Sequence, residues 1–141
     1  MFSDRPGSPR RFRLGVERSS VMAKVSRQSY VLRPRWRVLR GRDVVLGPGK
    51  ADLLEAIRRR GSLRSAAKDL RMSYMRAWKL AQMMNGAFRE PLIETERGGS
   101  RHGAARLTPS GRAVLALYRE MEKTSASASG AAWRRLRRLL P

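Results

Sequence analysis

A mostly α-helical domain with small β-hairpins is what this sequence predicts, from three observations. Successive stretches repeat apolar residues at the i, i+3, i+4 spacing of one helix face. Short alternating runs lie on either side of them. Glycine, proline and hydroxyl residues fall at the joints, where helices start and stop. A chain of 141 residues has room for one domain with tails.

The ordered part is predicted to begin near Ser29. From Val31 to Leu39 the residues alternate, with Arg33, Arg35 and Arg37 on one side and Pro34, Trp36 and Val38 on the other. A period of two predicts a half-buried strand, and Pro34 confines it to an edge or a strand start. Gly41-Arg42 supplies a turn, and Val44, Val45 and Leu46 a return strand. Gly47-Pro48-Gly49 then interrupts the chain before a helix from Lys50 to Arg60, with Leu53, Leu54 and Ile57 on one face and Gly61 as its stop.

A second helix runs from a Ser62 N-cap through Leu63, Ala66, Ala67 and Leu70. A third starts at a Ser73 N-cap and reaches about Phe88, with Ala77, Leu80, Ala81 and Met84 inward. Pro91 to Glu96 and Ala104 to Leu107 read as paired strands around a Gly-rich tip, residues 97–103. Thr108 is the N-cap of a last helix, with Pro109 at the first helical position, where a missing N–H costs nothing. Its apolar stripe is Val114, Leu117, Tyr118 and Met121; the Ser/Ala-rich run from Thr124 to Gly130 weakens it. From Ala131 to Leu140 the pattern is amphipathic again, Trp133, Leu136, Leu139 and Leu140 opposing Arg134, Arg135, Arg137 and Arg138.

The order helix, helix, three-residue turn, helix, hairpin, helix is that of a winged helix-turn-helix. Ala66 and Ala67 give the small surface that crossed helices need, and Leu70, Met72, Ala77 and Leu80 plug the corner. The turn carries Arg71 where glycine is frequent; a left-handed conformation there costs arginine roughly 1 kcal/mol. The expected organisation is a disordered basic arm over 1–29, the winged domain over 30–123, and a basic amphipathic helix or tail over 124–141. Met22 serves as well as Met1 for a start codon.

Charge narrows the function. Thirty-two Lys and Arg face eleven Asp and Glu, a net charge of +21. Such a cation suits a polyanion, either nucleic acid or an anionic membrane surface. Arginine predominates, and its planar fork matches phosphates and guanine edges, although a GC-rich genome would enrich it too. There is no cysteine, which excludes disulfides, zinc fingers and thiol nucleophiles and fits a reducing cytoplasm. No apolar run approaches the ~18–20 residues of a membrane span. Trp133–Leu140 is too short to hold a membrane surface well, so no membrane partner is expected. The expected location is the cytoplasm, at the nucleoid.

The outer face of the third helix is the main candidate site. Met75, Arg76, Lys79, Gln82 and Met83 project away from the core on helical periodicity. Arg76 and Lys79 suit guanine N7 and O6 or nearby phosphates, and Gln82 suits adenine. Ser73 and Tyr74, at the helix entrance, can donate to a phosphate. A merely solvated face is the plain alternative for the two cations. Tyr74 and Trp78, one turn apart, read as helix-packing residues ahead of base readers. In the wing, Arg97, Arg101 and His102 sit among glycines and suit the negative minor groove; an exposed loop is the plain alternative. A lone histidine among arginines is no metal site. Glu94 and Glu96 read as solvent-facing. No nucleophile, base and pocket combine, so neither catalysis nor a cofactor is expected.

These residues resemble a known family. Gly49-Lys50-Ala51-Asp52-Leu53-Leu54, Gly61-Ser62-Leu63 and Ser73-Tyr74-Met75-Arg76-Ala77-Trp78 are similar to the N-terminal domain of ModE-type molybdate-responsive transcription regulators. Met84-Asn85, Glu90-Pro91-Leu92-Ile93-Glu94, Gly98-Gly99 and Leu107-Thr108-Pro109-Ser110-Gly111 continue the match, which covers about Val31 to Met121. The DNA-binding fold is shared with LysR-type regulators. The resemblance implies a winged-helix homodimer on double-stranded DNA, with the terminal helix making dimer contacts. Met75 departs from it, since such proteins often have Lys or Arg there. The chain ends at Pro141, and no molybdate-binding module is expected within it. The alternative reading is a non-specific nucleic-acid-binding or protein-interaction module that reuses the fold.

Overall fold

The computed structural model describes residues 29–96 and 103–141. Two short strands come first, β1 (Val38–Arg40) and β2 (Asp43–Leu46), followed by helices α1 (Pro48–Arg60), α2 (Leu63–Asp69) and α3 (Tyr74–Ala87). The hairpin β3 (Ile93–Thr95) and β4 (Ala105–Leu107) precedes α4 (Pro109–Ala128) and α5 (Gly130–Arg137). The protein is therefore mostly helical with two antiparallel hairpins, as the sequence predicts. Residues 32–131 form one compact unit, and 132–141 lie outside it.

The β1–β2 hairpin closes on Gly41-Arg42, with Arg40 opposite Asp43 and Gly41 at φ 62°. The strand expected over Val31–Leu39 shrinks to its last residues, and Trp36 just before them bonds to α4 instead of a strand partner. The Tyr118 hydroxyl donates to the Trp36 carbonyl at 2.9 Å, and the Trp36 indole N–H donates to Ser125 Oγ at 2.9 Å. This segment is strapped along α4, and Trp36, Val38 and Leu39 stay substantially exposed. Burial raises the Tyr118 phenol above its ordinary pKa.

Helix α1 starts with Pro48 and ends on Gly61, whose φ of 65° lets its N–H reach the Ile57 carbonyl at 2.9 Å. Lys50 is nearly buried, its ammonium donating to the carbonyls of Val44 and Val45 and so pinning α1 to β2. Desolvation pulls its pKa below that of a free lysine. The core gathers Leu53, Leu54 and Ile57 of α1, Leu63, Ala66 and Ala67 of α2, and Ala77, Ala81 and Met84 of α3, with Leu92 and Tyr118. The alanines in the middle of α2 and α3 are fully covered.

The corner between α2 and α3 is a left-handed C-cap. Arg71 N–H donates to Lys68 O at 3.1 Å, and Met72 N–H to Ala67 O at 3.0 Å, the paired bonds of a Schellman motif. Arg71 has φ 53°, the one positive value outside glycine among the described residues. The expected strain is thus present.

Helix α4 departs from expectation in two ways. Its covered line is Gly111, Leu115 and Tyr118, while Leu117 and Met121 are exposed. The line is set by Gly111, where an added Cβ would stand 2.0 Å from the Leu92 carbonyl oxygen. The helix also continues through Thr124 to Ala128, and Ser125 Oγ donates back to the carbonyls of Met121 and Glu122. No residue of α5 is buried. No helix among the described residues is long and apolar enough to cross a membrane.

Candidate nucleic-acid interface

Ser73 opens α3 in extended conformation, and its Oγ accepts the Arg76 N–H at 3.1 Å. Burial then recurs at Ala77, Ala81 and Met84, with Leu80 partly covered. At about 100° per residue, the line opposite carries Met75, Lys79, Gln82 and Gly86. Arg76 and Met83 flank it on one side, Tyr74 and Trp78 on the other, and all of these are exposed. The structure thus brings Ser73, Tyr74, Met75, Arg76, Lys79 and Gln82 onto the exposed part of one helix.

Charge suits this helix to an anion. Between Asp69 and Glu90 the chain has no acidic residue. Neither Arg76 nor Lys79 joins an ion pair among the described residues, whereas Arg58, Arg60, Arg106 and Arg119 all do. Two cations that meet no carboxylate among the described residues are available to an external anion.

Tyr74 and Trp78, read as helix-packing residues, are covered in part and stay 39% and 36% exposed. What covers part of Tyr74 is the Arg64 guanidinium, 5.4 Å from the ring centroid, a cation–π contact. Arg64 was not singled out by sequence. It lies in the first turn of α2, the helix that crosses the backbone in helix-turn-helix complexes, and that position was the available signal.

Arg97, Arg101 and His102 lie outside the described residues, but the base of their hairpin is firmly placed. Ile93, Glu94 and Thr95 pair with Leu107, Arg106 and Ala105, and a 2.8 Å ion pair joins Glu94 to Arg106 on the exposed side. Ala105 N–H donates to Gly61 O at 3.0 Å and Leu63 N–H to Gly103 O at 3.3 Å, so the hairpin base is bonded to the α1–α2 joint. Asn85 ties it to α3 as well: its Oδ1 accepts the N–H groups of Leu92 at 2.9 Å and Ile93 at 3.0 Å, and its Nδ2 donates to Ile93 O at 2.8 Å. Asn85 is a positioning residue, visible in the sequence only through the family resemblance.

No protein-family profile matches the chain. It is 44% identical over 70 residues to the molybdenum transport protein ModE of Azotobacter vinelandii, a match covering 50% of this chain and 26% of that protein. The transcriptional regulator ModE of Haemophilus influenzae is 35% identical over 79 residues, 56% of this chain and 31% of the relative. The DNA-binding transcriptional dual regulator ModE of Escherichia coli is 37% identical over 71 residues, 50% of this chain and 27% of the relative. The matched part thus spans about a quarter to a third of these relatives' length. Among solved structures, the CbnR DNA-binding domain in complex with DNA aligns with a TM-score of 0.48 and 25% identity, covering 62% of this chain and 94% of that one. Over half its length or slightly more, this chain is similar to ModE transcription regulators.

Proposed function

We propose that this chain is a sequence-specific DNA-binding transcriptional regulator that lays α3 in the major groove and sets the wing, residues 97–103, against the duplex. The observation that carries this reading is the outer face of α3, where Arg76 and Lys79 project unpaired beside Gln82 from a helix without a carboxylate. Arg76 and Lys79 would donate to guanine N7 and O6, and Gln82 would pair with adenine. Ser73 and Tyr74 at the entrance, with Arg64 beside them, would hold phosphates. Arg97, Arg101 and His102 would add wing contacts. The protein acts as a homodimer, α4 offering exposed Leu117 and Met121 one turn apart, so that two α3 helices meet half-sites one helical turn or a multiple apart.

Selection of bound duplexes from a random library tests this reading. A preferred, two-fold related sequence should emerge. Arg76→Ala with Lys79→Ala should then lose about 1–3 kcal/mol of preference per lost contact. Equal weakening on selected and random DNA would refute their part in readout.

One observation favours a second reading, non-specific binding through the termini: α5 carries Arg134, Arg135 and Arg137 with nothing buried. Removing residues 1–28 and 130–141 separates the two. A core that reads sequence keeps its preference, and binding driven by the termini disappears.

A further inference from the structure

We infer that Met75 is a specificity residue that reads thymine, its side chain packing on a thymine C5-methyl on the floor of the major groove. The inference rests on the groove-inserted reading of α3 and adds to it the identity of one base.

Met75 is the second residue of α3 and is 57% exposed. It stands in line with Lys79 and Gln82, opposite the buried Ala77, Ala81 and Met84. Among the described residues that line is exposed from Met75 to Gly86, and Gly86, at its far end, has open space where a Cβ would stand. Met75 therefore occupies the most outward position of the turn that meets base edges in this motif. The fold gains little from an apolar side chain there.

Its chemistry limits what it can do. A thioether is no donor and only a weak acceptor, so Met75 cannot grip a phosphate or pair with the polar edge of a base. The apolar feature of the major-groove floor is the thymine methyl. An unbranched chain with three rotatable bonds adapts to such a contact. Met83 is also exposed, at 54%, but it lies two turns further along α3, away from the entrance, and is not assigned this role. With Lys79 one turn beyond Met75, the thymine should lie next to the base pair that Lys79 contacts.

The test uses the full chain and a duplex selected from a random library, in which each dT is replaced singly by dU, in both half-sites together. This exchange removes one methyl and leaves every hydrogen-bonding group in place. The wild-type protein should lose about fourfold per methyl at one position, roughly fifteenfold for the symmetric pair. Met75→Ala should bind the parent duplex more weakly and be indifferent to dU at that position, while Met75→Leu keeps the sensitivity. Since Met75 is exposed, both variants should melt like the wild type. Three results would overturn the inference: a half-site with no thymine, a wild type that no dU exchange affects, or a Met75→Ala protein as sensitive as the wild type. A library that yields no preferred sequence would instead overturn the DNA-reading function itself.

Discussion

Helices α3 and α4 both begin with an extended hydroxyl residue whose oxygen accepts the N–H three residues on, Ser73 from Arg76 at 3.1 Å and Thr108 from Gly111 at 2.9 Å. Their surroundings differ. Thr108 is buried; its hydroxyl also donates to Pro91 O at 2.6 Å and its N–H to Leu92 O at 3.0 Å, with Gly111 lying against Leu92. Ser73 is exposed, and its hydrogen bonds among the described residues all go to its own helix. The same cap thus serves a sealed joint in one place and an open helix end in the other. A capping motif marks where a helix starts; the density of its neighbours decides whether that start is structural or left for a partner.

The contrast can be broken most forcefully at Gly111. Gly111→Ala should destabilise the fold by about 3 kcal/mol, since the new methyl would overlap the Leu92 carbonyl and backbone would have to shift; urea unfolding measures it, and a loss under 1 kcal/mol would show the joint to be loose. Thr108→Val keeps the shape and removes both hydroxyl bonds, an expected loss of about 2 kcal/mol. Ser73→Ala should cost about 1 kcal/mol of stability and, under the proposed function, weaken DNA binding in excess of any unfolding. If Ser73→Ala proves as costly to the fold as Thr108→Val, the distinction between sealed and open ends fails. The smallest effect is a gain. Arg71→Gly relieves the left-handed backbone at the corner and should stabilise by up to about 0.5 kcal/mol, net of glycine's greater unfolded-state entropy; a loss would mean that the arginine side chain supports the turn.

Much of this architecture was legible because it is written in local spacing. The inner faces of α1 to α3 follow from recurring apolar residues, their starts from Ser62 and Ser73, and the strained corner from an arginine standing where glycine is frequent. The outward course of Arg76 and Lys79 follows from the same periodicity. What escaped depends on atoms distant in sequence. The segment before β1 alternates like a strand, yet Tyr118 takes the Trp36 carbonyl from 82 residues away. The covered line of α4 runs through Gly111 because of Leu92, which no helical pattern within α4 encodes. The run from Thr124 to Ala128 reads as weak yet stays helical, and there Ser125 Oγ accepts the Trp36 indole N–H from 89 residues away. The stacking of Arg64 on Tyr74 joins α2 to α3, and neither helix's own periodicity encodes it.

The double mooring of the β3–β4 hairpin, through Asn85 to α3 and through Gly61 and Gly103 to the α1–α2 joint, has a mechanical consequence. If α3 enters one groove and the duplex also meets the hairpin base beside it, the gap between α3 and that base is imposed by the protein and works as a caliper of fixed span. A duplex then qualifies by its dimensions as well as by its letters. Base pairs between the two points of contact, though no side chain meets them, would be chosen for how readily they bend or narrow to that width.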